Sequence, residues 1–218
     1  MRAPEVLGRE TQLGVLVGAL ALISVAALVG QIYGIVDMTF VLAFLALPAA
    51  IVIVGIARWS VKADYRLFYR RLMLGIALGL AATAAYDLVR LAAQTALPLD
   101  FNAFAIHARF GELIIDEPRN STAARIVGWS YHVSNGLTFA LCYTLVAGKA
   151  RWWWGLLYGL TLESLMVVMY PTGFGLSRGN EDFLIVSFIG HATYGSVLGL
   201  LNYRFNENEP SRAQVMRR

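Results

Sequence analysis

Apolar residues fall in six long runs separated by polar or charged breaks. The runs cover roughly 12–33, 39–57, 72–96, 123–148, 152–171 and 183–203. Each comes close to the stretch of about 20 mostly apolar residues that an α-helix needs to cross a bilayer. The pattern predicts an all-α polytopic membrane protein with six transmembrane helices in a single membrane domain over 1–218. The first run is long, has no small-x-small cleavage site and is soon followed by a second, so it reads as a span rather than a cleaved leader. Pro48 removes a backbone donor within the second run and predicts a kink there. The longest break, 97–122, places Phe101, Phe104, Ala105 and Ala108 on one helical face. It reads either as an amphipathic helix over one mouth of the bundle or as a surface loop. Ser121, within Asn120-Ser121-Thr122, is placed to cap the fourth run.

Composition agrees with the pattern. Of 218 residues, 58% are hydrophobic and only 15% charged, against about a quarter charged in soluble domains. So few charges cannot coat a water-facing surface, which excludes a soluble enzyme and a disordered chain. The net charge of +4 follows topology rather than nucleic-acid binding. With the N-terminus in the cytoplasm, thirteen Lys and Arg lie on inner segments and four (Arg109, Arg119, Arg125, Arg178) on outer ones. That asymmetry predicts both termini inside, as in a bacterial inner membrane. The inner segment 58–71 interleaves five positive residues with Trp59, Tyr65, Phe68 and Tyr69, which suits anionic lipid headgroups. Glycines four apart (Gly14/Gly18, Gly30/Gly34, Gly75/Gly79, Gly155/Gly159, Gly195/Gly199) let helix backbones approach closely in lipid. The bilayer is thus the primary partner. The glycine faces serve packing within the chain or, for span one, a homodimer. The single cysteine, Cys142, excludes an intrachain disulfide and reads as small core filler.

Polar residues are distributed unevenly. Spans one and two hold little beyond Ser24 and read as peripheral scaffold. Spans three to six each carry an ionisable group: Asp87, His132, Glu163 and His191. At 1.5 Å rise per residue all four fall roughly 10–14 Å below the outer end of their spans. A charged group facing lipid there costs at least about 2.5–3.5 kcal/mol, so the four are expected to face one another in a polar-cored bundle. Arg90 lies three residues after Asp87 and can pair with it, orienting a polar or anionic substrate group. Tyr86, Asn135 and Tyr194 neighbour these groups along their helices and can orient them.

His132, Glu163 and His191 then remain. Two imidazoles and a carboxylate are a recurrent set for zinc or non-haem iron with open positions, which would suit a membrane enzyme. Three other arrangements also fit the residues. They are a hydrogen-bonded polar core without an ion, a proton-coupled transporter, and a b-type haem between His132 and His191 with Gly190 and Gly195 leaving room for the macrocycle. His107, in the outer connection beside Arg109 and Glu112, reads as a solvated loop histidine.

The last run contains Gly190-His191-Ala192-Thr193-Tyr194-Gly195-Ser196-Val197-Leu198-Gly199. This G-H-x-x-Y-G-x-x-L-G string resembles the last span of uncharacterised bacterial multi-span inner-membrane proteins. The resemblance implies a bacterial inner-membrane location and no particular activity.

Overall fold

A backbone surrounded by apolar side chains has to close its own hydrogen bonds, and the apolar runs do so as helices. The computed structural model describes residues 3–99, 102–169 and 181–206, and all regular structure among them is helical. α1 (Ala3–Ala21) and α2 (Ile23–Ile32) form one rod. The ladder runs through Leu22, whose N–H bonds the Gly18 carbonyl at 3.1 Å and whose carbonyl accepts from Ala26 at 2.9 Å. A second rod joins α3 (Met38–Val41), a π-helical turn (Leu42–Ala46) and α4 (Leu47–Lys62). The widened turn stands directly before Pro48, where the carbonyl of Phe44 has lost its regular donor, so the proline's defect is absorbed as a π turn. α5 (Arg66–Ala96), α6 (Ala105–Ile115), α7 (Thr122–Ala147), α8 (Trp152–Met169) and α9 (Glu181–Phe205) follow. Helix thus lies over the described part of every run the pattern picks out; residues 170 and 171 of the fifth run lie outside the described residues. The first three elements reach further than their runs, back to Ala3, on to Lys62 and back to Arg66.

Four of these stretches are long and apolar enough to cross a membrane: Gly8–Ile32, Met38–Lys62, Arg66–Ala96 and Glu181–Phe205. α7 and α8 fall outside this set among the described residues; α7 holds His132 and Asn135, and α8 holds Glu163. In the second rod only 17% of the apolar window is buried. Phe44, Ile51 and Val54 point outward, which makes this rod a peripheral element.

Close backbone contact holds the remaining helices together. α5 packs on α7 and α9, α8 on α9, and α1 on α7. Gly155 and Gly159 of α8 meet Gly195 and Gly199 of α9 backbone to backbone, and a Cβ on Gly195 would overlap the Gly155 carbonyl. Gly75 and Gly79 of α5 face Leu137, Ala140, Leu141 and Thr144 of α7, while Gly14 and Gly18 of α1 face Leu145 and Cys142. These four pairs serve helix contacts within the chain. The fifth does not: Gly34, at φ 64°, ends α2 by turning the chain back, with Ile35 donating to the Gly30 carbonyl at 2.9 Å.

Gly195→Leu should therefore lower the melting temperature in detergent by at least about 5 °C, with membrane insertion intact. Gly55→Leu, where no atom lies within 4 Å of an added Cβ, is the control and should leave it unchanged. Equal effects of the two variants would contradict the α8–α9 contact.

Candidate metal and ligand site

The polar residues of α5 recur at helical spacing, so Thr83, Tyr86, Asp87 and Arg90 stand on one side of the helix. α7 offers Gly128, His132, Asn135 and Gly136 opposite them, α8 adds Glu163, and α9 adds Ser187, His191 and Tyr194. Most of these side chains line one cavity of about 150 Å³, walled elsewhere by apolar groups such as Leu28, Phe110, Phe139, Leu162 and Met166. His132, Glu163, His191, Tyr86, Arg90, Asn135 and Tyr194 all lie on its wall.

Within that cavity the ionisable groups divide into two sets. His191 Nδ1 lies 2.7 Å from Glu163 Oε2. His132 Nε2 lies 3.1 Å from both carboxylate oxygens of Asp87, and Arg90 Nη1 is 3.9 Å from Asp87 Oδ1. The Tyr86 ring touches both sets, with its centroid 5.7 Å from that of His132 and 4.9 Å from that of His191. The sequence groups His132 with Glu163 and His191; the fold gives it Asp87 as its immediate partner. Tyr194 turns its hydroxyl to the Gly136 carbonyl at 2.7 Å, and Asn135 Oδ1 accepts from Ser24 at 3.5 Å. Space beside His191 is filled: a Cβ on Gly190 would meet the Tyr86 ring, and Gly195 is covered by α8. The room that these glycines suggest for a macrocycle is therefore occupied by protein.

The connection after α5 supplies a residue that the sequence reading placed in solvent. Arg90 donates to the carbonyl of Ala103, and Gln94 Oε1 accepts the Ala103 N–H at 2.7 Å. Two side chains of α5 thus satisfy a backbone segment drawn down beside the helix. From there α6 runs back antiparallel to α7. His107 lies opposite Gly128 and Gly111 opposite Ala124, so close that a Cβ on either glycine would overlap the facing carbonyl. The buried face of this element is Ala103, His107 and Gly111. Phe104 is half-buried and Ala105 exposed, so the face expected from Phe104, Ala105 and Ala108 is displaced by one residue; Phe101 lies outside the described residues. Ser121 does cap α7, accepting the Ala124 N–H at 3.0 Å.

His107 is consequently 1% exposed, not a solvated loop histidine. Its ring lies 4.2 Å from the His132 ring and 4.0 Å from Trp129. Neither ring nitrogen has a hydrogen-bond partner. Burial among apolar side chains favours the neutral ring, which offers a lone-pair nitrogen. Asp87, His107 and His132 each present a ligand atom within 4.8 Å of the others. Neighbouring ligand atoms around tetrahedral zinc sit about 3.3 Å apart, so a metal would draw this set together by a modest rotation of side chains. The sequence signal for His107 is Ala103-x-x-x-His107-x-x-x-Gly111, a histidine flanked at i±4 by small residues that admit a neighbouring helix.

Residues 69–213 match the model of a family described as "Family of unknown function (DUF6789)", and the chain belongs to that family. The match starts within α5 and runs through α9. It leaves out the peripheral second rod and also the first rod, which is not the peripheral scaffold expected of it: it is 39% buried over its apolar window, packs on α7 and walls the cavity with Val25 and Leu28. No curated protein and no solved structure matches the chain.

Gly128→Val has no room unless α6 lifts away from α7. It should expose His107, seen as faster carbethoxylation of that residue by diethyl pyrocarbonate in detergent, at least about fivefold above wild type. An unchanged rate would mean that α6 does not lie on α7.

Proposed function

We propose that the protein is a six-span bacterial inner-membrane protein with both termini in the cytoplasm, carrying a divalent-metal site that opens toward the extracytoplasmic side. α7 and α8 complete the six spans and carry His132, Asn135 and Glu163 of the site. The inner positive residues set the orientation. Reporter fusions after Lys62, at Lys149 and at the C-terminus should all report cytoplasm; a periplasmic signal at Lys62 or Lys149 would overturn this topology.

One observation carries the metal reading. His107 is almost completely buried with both nitrogens unpartnered, within ligand distance of Asp87 and His132. A buried polar group without a partner costs about 1–3 kcal/mol, and a hydrogen-bonded polar core without an ion leaves that cost uncompensated. Two histidines and one carboxylate with open positions suit zinc or iron. Such a centre activates water or oxygen, which points to hydrolysis or oxidation of a membrane-embedded substrate. Arg90, beside Asp87 and over the Tyr86 ring at 4.8 Å, orients a polar group of that substrate. Glu163 and His191 are the second polar pole of the same cavity rather than the nearest ligands.

Protein purified without chelator should hold about one zinc or iron per chain. Asp87→Asn, His107→Gln and His132→Gln should each reduce that to below about one fifth, while Glu163→Gln leaves most of it in place. Absence of stoichiometric metal after zinc, iron or copper is added back would overturn the reading.

A further inference from the structure

The Glu163–His191 pole has an unusual hydrogen-bond balance. His191 Nδ1 faces Glu163 Oε2 at 2.7 Å and the Ser187 carbonyl at 3.1 Å. Both partners are acceptors, so Nδ1 carries a proton. Oε1 of Glu163 is buried with no partner. Glu163 is 1% exposed, so water does not supply the missing donor freely. One buried acceptor without a donor, Glu163 Oε1, thus stands at one end of a cavity whose remaining wall includes Leu28, Phe139, Leu162 and Met166.

From this we infer that the cavity binds a single-chain amphiphile with a hydrogen-bond-donating head, a long-chain alcohol being the simplest form. Its hydroxyl donates to Glu163 Oε1, and its chain lies along the hydrocarbon wall between α7 and α8. A carboxylate head is disfavoured at this pole, because it brings acceptors and no donor to Glu163 Oε1. The inference rests on reading this cavity as a substrate site, but binding itself needs no metal.

The probe is hexadecan-1-ol carrying a mid-chain diazirine, added to the full chain in nanodiscs, with and without chelator treatment. Irradiation should label cavity residues Phe139, Leu162 and Met166. Excess unlabelled hexadecan-1-ol should suppress that labelling at least tenfold, and hexadecanoic acid at least tenfold less effectively. Glu163→Gln should weaken labelling severalfold. Leu162→Trp, which fills the wall and leaves the polar pole untouched, should abolish it at unchanged melting temperature. Labels confined to the outward-facing Leu88, Val168 and Ile185, or equal competition by alcohol and acid, would overturn the inference. The two readings fail separately. Cavity labelling in protein that never takes up metal removes the metal alone, whereas metal-loaded protein without cavity labelling removes the amphiphile alone.

Discussion

A guanidinium cannot give up its charge, and Arg90 holds one at 6% exposure among apolar helices. The rest of the site depends on how that charge is accommodated. Asp87 offsets it from one turn away, the Tyr86 and Phe104 rings lie against its planar face at 4.8 and 5.2 Å, and the Ala103 carbonyl accepts one of its N–H groups. The last of these ties the connection after α5 down into the bundle. Without an internal donor, that carbonyl would have to remain at the water interface, and His107, four residues on, would remain there too.

Small residues convert this tether into a fixed geometry. Gly111 and Gly128 let α6 rest on the α7 backbone, Gly136 leaves room for Thr83, and Gly190 leaves room for Tyr86. Each absence of a Cβ therefore places a polar or aromatic side chain at the cavity. Core packing and site construction use the same residues. The family match begins within α5 and runs through α9, where these glycines lie.

Helix positions were legible in the sequence because apolar run length is a local property. So was the convergence of four ionisable groups on one site: His132, Glu163 and His191 meet on one cavity wall, with Asp87 against His132. Rotation about each helix axis was not. It decides that His132 meets Asp87 while His191 meets Glu163, and it is set by contacts such as Gly155 on Gly195 that join residues far apart in the chain. His107 was misplaced for a related reason. A polar break between two spans reads as solvent-exposed unless the buried donor that pulls it inward, here Arg90, is known. The pairing of Asp87 with Arg90 was foreseen, but not that Arg90 also holds Ala103.

X-ray absorption at the metal edge of zinc-loaded protein examines the Asp87–His107–His132 centre most directly, because imidazole ligands leave a distinct outer-shell scattering pattern. Two imidazoles are expected in the wild type and one on the fraction of zinc that His107→Gln retains. An imidazole count that does not change when His107 is replaced would contradict the re-entrant placement of α6 and the centre built on it.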